Sequence, residues 1–265
     1  MPRTTLVEER TDGVLVVTLN RPHRKNAFDA AMWRDFRDAL AEAQADDAVR
    51  VVVVTGAGDA FSAGQDLDAM MGAGDASAGE GFATFMDRLC VFDKPLLAAV
   101  NGVGVGIGMT LLLHCEYVYI STRARLRAPF VTLGVVPEAA SSYLLPALVG
   151  WRNAVDVLFE SDFLSADRAV ALGLATTLCE PDALLPTTLA HAHRLAAKPL
   201  GSLRWTKRLL LATRQDLVTA ARHREDQAFL ARVGSPENLE AIAAFFSKRP
   251  PDFSTVPPTD RSDAT

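Results

Sequence analysis

The chain has 265 residues, of which 49% are hydrophobic and 22% are charged, as is typical of a globular protein that buries a substantial core. Its formal net charge of −5 at pH 7 argues against binding to nucleic acid or to an anionic membrane. The three cysteines are scattered and the N-terminus has no apolar signal core, which together indicate a reducing, cytoplasmic location.

The first third of the chain alternates strand and helix patterns. A turn sequence, Thr11-Asp12-Gly13, separates two alternating runs and predicts a β-hairpin. Apolar residues at helical spacing follow Asp29, an acidic residue that suits a helix N-cap. Up to residue 92, the sequence predicts strands over 5–9, 14–20 and 50–55, helices over 29–44 and 82–92, and a flexible loop over 69–82.

The middle of the chain continues this alternation, which indicates an α/β core. The apolar stretch over 95–120 contains Asn101, His114 and Glu116, so a buried strand and helix are favoured over a membrane span. The predicted strands are 95–101, 117–121, 125–128 and 176–180, and the predicted helices are 109–115, 139–148, 151–160, 165–172 and 182–195, with a turn over 133–138.

From residue 200 onward the pattern is helical only, over 202–212, 216–233 and 236–248. We therefore predict an α/β core over 1–198 and a helical region over 199–253. The tail from Pro250 has four prolines and no apolar period, and residues 254–265 are predicted to be disordered.

Two glycine-rich turns indicate a site for a developing negative charge. Glycines 102, 104, 106 and 108 stand at alternate positions between a strand pattern and a helix pattern, and they leave backbone N–H groups uncovered by side chains. Ala63-Gly64 offers a second bare amide after another strand. Donors from two such turns would form an oxyanion hole, in which each donor contributes roughly 3–4 kcal/mol.

The residues that could form other catalytic or binding motifs do not have the spacing that those motifs require. The glycine run does not fit the dinucleotide pattern G-x-G-x-x-G in any register. Ser62 and Ser141 do not lie in a G-x-S-x-G elbow, and the five histidines have no metal-site spacing. These patterns argue against a nicotinamide enzyme, a serine hydrolase and a metal centre.

Two features leave both a structural and a functional interpretation open. The basic segment from Arg21 to Phe28 is either a solvated connection or a contact for phosphate or nucleotide. Glu138 precedes a predicted helix among apolar and small residues, so its carboxylate either complements the helix N-terminus or faces a dry pocket. In a dry pocket, desolvation would raise its pKa and make it a general base near neutral pH.

Taken together, short motifs from Val14 to Phe253 resemble the crotonase superfamily, the enoyl-CoA hydratases and isomerases. Each motif is weak alone, but their order and spacing are specific. The matching pieces are Leu19–Pro22, Phe61–Leu67, Lys94-Pro95, Asn101-Gly102, Pro129, Leu133-Gly134 and Phe246–Phe253. The resemblance implies an α/β spiral of ββα units with a helical trimerisation region, an acyl-CoA thioester substrate, and a homotrimer or dimer of trimers. No cofactor is implied beyond the coenzyme A of the substrate.

The resemblance also implies roles for individual residues. The backbone N–H groups of Ala63 and Ile107 would hold the thioester oxygen. The residues implied in coenzyme A binding are Arg24, Lys25, Ala27, Gly64, Gln65, Asp66 and Leu67, together with Lys248, which would reach the site of a neighbouring subunit.

The catalytic carboxylates depart from the hydratase pattern. Family hydratases use two glutamates to activate water, and these positions are Thr110 and Phe130 in this chain. Glu138 falls where peroxisomal-type Δ3,Δ2-enoyl-CoA isomerases carry a single base. We therefore expect an isomerase. Two alternatives are a hydratase or other acyl-CoA lyase that uses Asp66, Asp68 or Glu138 in an unusual way, and a non-catalytic acyl-CoA-binding trimer.

Overall fold

The strands form two sheets. The computed structural model describes residues 3–67 and 76–257. In these ranges the strands are β1 (Leu6–Thr11), β2 (Val14–Leu19), β3 (Val51–Gly56), β4 (Ala60–Ser62), β5 (Leu96–Val100), β6 (Val103–Val105), β7 (Tyr117–Ser121), β8 (Arg125–Arg127), β9 (Leu164–Ser165) and β10 (Thr177–Cys179). The larger sheet has the order β1-β2-β3-β5-β7-β10, and the smaller has the order β4-β6-β8-β9.

Helices connect the strands and then continue alone to the end of the described chain. They are α1 (Ala30–Ala45), α2 (Ala76–Cys90), α3 (Ile107–Thr110), α4 (Ser141–Val149), α5 (Trp151–Glu160), α6 (Ala166–Ala171), α7 (Pro181–Ala196), α8 (Leu200–Ala212), α9 (Gln215–Arg232) and α10 (Pro236–Phe246). Asp29 caps α1 as predicted, because its side chain accepts a hydrogen bond from the Met32 N–H at 2.8 Å.

The larger sheet is covered on both faces, which explains the continuous apolar run in β3. This strand lies between two parallel neighbours, β2 and β5. Val52 and Val54 belong to one hydrophobic cluster, which Phe36 of α1 also joins. Val51 and Val53 belong to a second cluster, formed with α7. Because both faces of a parallel sheet are buried, the strand has no polar alternation.

Most predicted elements are confirmed, and the differences are local. The hairpin of β1 and β2 pairs Thr11 with Val14. Helix α2 begins at Ala76, so the predicted loop is wrong from that residue on, and the rest of it, 69–75, lies outside the described residues. The glycine stretch contains strand β6, and the helix predicted over 109–115 is α3 followed by a 3-10 turn at Leu111–His114.

The C-terminal region is helical from Leu200 to Phe246, as predicted. Its division from the core at residue 199 stays a prediction. The tail was predicted to be disordered from residue 254, but Phe253–Thr255 forms a 3-10 turn that the Asp252 side chain caps. Residues 258–265 lie outside the described part. None of the helices that the structure describes combines the length and apolar character needed to cross a membrane.

Candidate active site

Two parallel strands of the smaller sheet bring the two glycine turns together. Strand β4 pairs with β6, so that Ser62 lies beside Gly104. Each strand leads into a glycine with positive φ, Gly64 at 89° and Gly106 at 54°. A Cβ atom on Gly64 would lie 2.7 Å from the Val105 carbonyl oxygen. The close approach of the two turns therefore requires glycine at position 64.

The amides of the first turn differ in their availability. The Ala63 N–H donates to the Lys25 carbonyl oxygen at 2.8 Å, so the structure does not support the expectation that Ala63 is a free donor. The Gly64 N–H donates to Ser62 Oγ at 3.1 Å. The Gln65 N–H has no acceptor among residues 3–67 and 76–257. The first turn therefore presents the amide after Gly64, and not the amide before it.

The second turn presents its amide in the same way. Gly106 donates its N–H to the Arg127 carbonyl oxygen, and its own carbonyl oxygen accepts from the Met109 and Thr110 N–H groups. Ile107 is the first residue of α3 and has no acceptor for its N–H in the described chain, as expected in the first turn of a helix. Gln65 and Ile107 are thus equivalent, since each directly follows a positive-φ glycine.

An ion pair fixes the loop that carries Gln65. Arg21 Nη2 lies 3.0 Å from Asp66 Oδ2 and 3.2 Å from Asp29 Oδ2, and Arg21 Nη1 donates to the Ala27 carbonyl oxygen at 2.5 Å. Asp66 is 8% exposed. Its carboxylate is therefore engaged in charge-assisted hydrogen bonds with a guanidinium.

The Gln65 side chain is also fixed. Its Oε1 accepts from Trp33 Nε1 at 3.0 Å, and Trp33 packs against the rings of Phe82 and Phe85 at centroid distances of 5.3 Å each. The Gln65 Nε2 is buried and has no hydrogen-bond partner among the described residues. An aromatic cluster therefore lies beside Gln65, whose backbone N–H has no acceptor among the described residues.

The residues predicted to contact coenzyme A surround this loop. Arg24 and Lys25 are exposed at the 3-10 turn Pro22–Arg24, and Lys25 has a left-handed backbone. Ala27 is buried, and Leu67 is half-buried. Lys248 is exposed just after α10, so its predicted contact depends on a second chain.

Glu138 is the candidate general base. It is half-buried and lies between the 3-10 turn Val131–Leu133 and helix α4. Burial, and after it the negative charges of Glu225 and Asp226, together raise the pKa of Glu138 to about 8. A carboxylate that titrates near neutral pH accepts a proton much more readily than an exposed one.

The two hydratase positions offer no second base. Thr110 is 2% exposed and its hydroxyl donates to the Gly106 carbonyl oxygen at 3.3 Å. Phe130 is 5% exposed and belongs to the main hydrophobic cluster. Neither side chain transfers protons at neutral pH.

Comparisons with known proteins identify the family. The family model described as enoyl-CoA hydratase/isomerase matches residues 9–256. The chain belongs to the enoyl-CoA hydratase/isomerase family. A crystal structure of a family protein from Pseudoalteromonas atlantica T6c matches with a TM-score of 0.91 and 38% identity, over 94% of this chain and 100% of that one. The fold is thus the expected crotonase-like α/β fold.

Curated relatives within the family differ in activity. The chain is 36% identical over 245 residues to enoyl-CoA delta isomerase 2 of Rattus norvegicus, covering 90% of this chain but only 62% of the relative. It is 32% identical over 249 residues to 2,3-dehydroadipyl-CoA hydratase of Escherichia coli K12, covering 94% of this chain and 98% of the relative. Family membership therefore does not decide whether this chain is an isomerase or a hydratase.

The sequence motifs do not identify two residues of this candidate site. The family resemblance implies that Gln65 contacts coenzyme A and does not imply that it is a donor, although its position directly after Gly64 parallels that of Ile107 after Gly106. Glu225 lies on α9, far along the chain from Glu138, and no motif connects the two.

Proposed function

We propose that this protein is an acyl-CoA enzyme, a Δ3,Δ2-enoyl-CoA isomerase, with Glu138 as its single base. The observation that carries the proposal is one half-buried carboxylate of raised pKa in a family site where both hydratase positions hold non-acidic side chains. An isomerase needs one group that takes a proton and returns it, whereas the family's hydration needs two carboxylates.

The Gln65 and Ile107 N–H groups are the proposed oxyanion donors. They hold the thioester oxygen of the substrate, and their hydrogen bonds strengthen when negative charge develops on that oxygen. Their lack of an acceptor among the described residues supports this role. The partial positive charge at the first turn of α3 adds to the stabilisation.

Glu138 carries the proton between two carbon atoms. Its carboxylate takes a proton from C2 of a 3-enoyl-CoA, so that the C2–H bond breaks and an enolate forms with its charge on the thioester oxygen. Protonated Glu138 then delivers the same proton to C4 as the C3–C4 double bond moves to C2–C3. Atoms and electrons balance without water, metal or redox cofactor.

Hydration is the weaker candidate for this chain. Of the acids that could serve it, Asp66 is paired with Arg21, and Asp68 lies outside the described residues. Glu138 alone would have to activate water and also return a proton. Family hydratases use two glutamates for these two steps.

Exposed apolar residues on the C-terminal helices support self-association as a homotrimer or dimer of trimers. Trp205, Leu209, Leu230 and Phe245 are 63%, 66%, 77% and 58% exposed in the single chain, and large apolar side chains exposed together are typical of protein–protein interfaces. In such an assembly Lys248 would contact the coenzyme A bound by a neighbouring subunit. Sedimentation analysis of the purified protein measures the assembly size, and a monomer would exclude this part of the proposal.

The activity is tested with a 3-enoyl-CoA and a 2-enoyl-CoA as separate substrates of the wild type and of Glu138→Gln. We expect conversion of the 3-enoyl-CoA without net hydration, and a loss of about 10²–10⁴-fold in kcat for Glu138→Gln, the usual contribution of a general base. Calorimetric titration with a saturated acyl-CoA is the binding control, and we expect the same affinity for both proteins. Hydration of the 2-enoyl-CoA that survives Glu138→Gln would exclude the proposal. Tight acyl-CoA binding without turnover of either substrate would favour the non-catalytic alternative.

A further inference from the structure

The backbone that follows Glu138 is strained. Ala139 and Ala140 have φ values of 60° and 59°, in the left-handed region that L-residues other than glycine, asparagine and aspartate rarely adopt. Such a backbone brings the Cβ of an alanine too close to the following carbonyl oxygen. Two such residues in succession persist only where the surroundings determine the backbone. Both alanines are buried, at 2% and 0% exposure.

A carboxylate from a distant helix holds this turn. Glu225 on α9 is 5% exposed. Its Oε2 accepts from the Ala140 N–H at 2.6 Å, and its Oε1 accepts from the Ser142 N–H at 2.8 Å. Helix α4 has Ala140 at its N-cap position, without a side-chain cap. Glu225 therefore supplies, from another element, the acceptors that an N-cap side chain usually provides.

A histidine holds the opposite side of the same turn. His114 Nε2 lies 2.9 Å from the Ala139 carbonyl oxygen. Burial lowers the pKa of His114 to about 4, so the ring is neutral at physiological pH and its Nε2–H donates to that carbonyl. His114 ends the 3-10 turn that continues α3. The turn beside Glu138 is thus connected to the element that presents the Ile107 amide.

We propose that Glu225 is a positioning residue, whose buried carboxylate holds the Ala139–Ala140 turn and thereby fixes Glu138 between C2 and C4 of the substrate. The expected effect of Glu225 on kcat rests on the proposed function. Its expected effect on the turn rests on the geometry of the turn alone. A proton transfer between two carbons requires close alignment with both, and a misplacement of about 1 Å costs on the order of 100-fold.

Glu225 also acts on Glu138 through its charge. Its negative charge raises the pKa of Glu138, as does that of the exposed Asp226. On the other side of the turn, the charged groups that act on His114 are Arg214, Arg222 and Lys207. Removing the charge of Glu225 therefore lowers the pKa of Glu138, and the acidic limb of the pH profile of kcat/KM moves to lower pH.

Two substitutions separate position from charge. Glu225→Asp keeps the charge but shortens the reach, and we expect kcat to fall about 10- to 100-fold with KM and the midpoint of the acidic limb unchanged. Glu225→Gln keeps the length and one acceptor oxygen, and we expect a smaller loss in kcat with the midpoint moved to lower pH. Asp216→Asn removes a charge from an exposed site on the same helix and is the matched control, with wild-type kinetics expected.

Hydrogen exchange tests the contact between Glu225 and the turn independently of enzymatic activity. In Glu225→Ala, we expect the backbone amides of Ala140 and Ser142 to lose at least tenfold of their protection against hydrogen exchange, while those of β3 keep theirs. Unchanged protection at both amides would overturn the inference, as would wild-type kcat and pH midpoint in both Glu225→Asp and Glu225→Gln. If the wild type does not isomerise the 3-enoyl-CoA, the proposed function fails, and the exchange result alone decides on the Glu225 contact.

Discussion

The backbones of Gly64 and Gly106 lie against each other, and a Cβ placed on Gly106 would be 3.9 Å from the Gly64 Cα. The Gln65 and Ile107 amides follow these two glycines directly. Because no side chain separates the two turns, the distance between the amides is set by backbone contact. The proposed oxyanion site therefore depends on the packing of β4 beside β6 and on glycine at these two positions.

We predict that Gly64→Ala lowers kcat for the 3-enoyl-CoA by about 10²–10³-fold, as removal of one oxyanion donor does in other enzymes. The added methyl would meet the Val105 carbonyl oxygen at 2.7 Å, and φ at this position is 89°. Steady-state kinetics and a thermal melt measure the effect. Gly201→Ala is the matched control, because a Cβ there meets nothing within 4 Å, and it should leave kcat unchanged. Wild-type kcat in a folded Gly64→Ala protein would contradict the role of this turn.

The two glycine turns show how far the sequence predicts the site. Alternating glycines after a strand pattern locate the turns, because glycines weaken a strand and permit tight turns and close backbone approach. They do not identify the donor, because this depends on which amide is already engaged. Ala63 is excluded by the Lys25 carbonyl oxygen, and that contact depends on how the basic loop folds against β4. The proposed acid–base group is predicted more fully. The sequence itself contains Glu138, and it has non-acidic residues at both positions where family hydratases carry glutamates.

The exposed turn at Pro22–Arg24 provides a test of substrate binding. We predict that Lys25→Gln raises KM for the acyl-CoA about two- to fivefold with kcat unchanged, because an exposed charge pair contributes at most about 1 kcal/mol. The effect should shrink as salt is added, since exposed charges are screened. Lys198→Gln, at another exposed lysine, is the control. An equal change in both variants, or a change in kcat only, would argue against a phosphate contact at Lys25.

The raised pKa of Glu138 also makes a prediction about stability. Its folded pKa is about 8, against an ordinary value of 4.5, so between these pH values the folded protein keeps a proton that the unfolded chain has lost. Stability therefore falls as pH rises from about 4.5 to 8. Glu138→Gln does not titrate, and its Tm should exceed that of the wild type by a margin that grows by about 3–5 °C for each pH unit between pH 5 and 8. The reason is that each pH unit in this window costs the wild type about 1.4 kcal/mol, and ~1 kcal/mol moves Tm by about 2–4 °C in a protein of this size.

Glu240 is the control, because its pKa in the folded protein is shifted in the opposite direction. Its hydrogen bond with Arg249 lowers the pKa of Glu240 to about 2, so its stabilising effect is fully present above an ordinary carboxyl pKa and is lost only as pH falls toward 2. Glu240→Gln should therefore lower Tm by the same small amount at every pH from 5 to 8.5. Thermal melts of the three proteins across this range make the comparison. A constant difference between Glu138→Gln and the wild type would mean that Glu138 titrates like an exposed carboxylate, and the proposed base would lose its physical support.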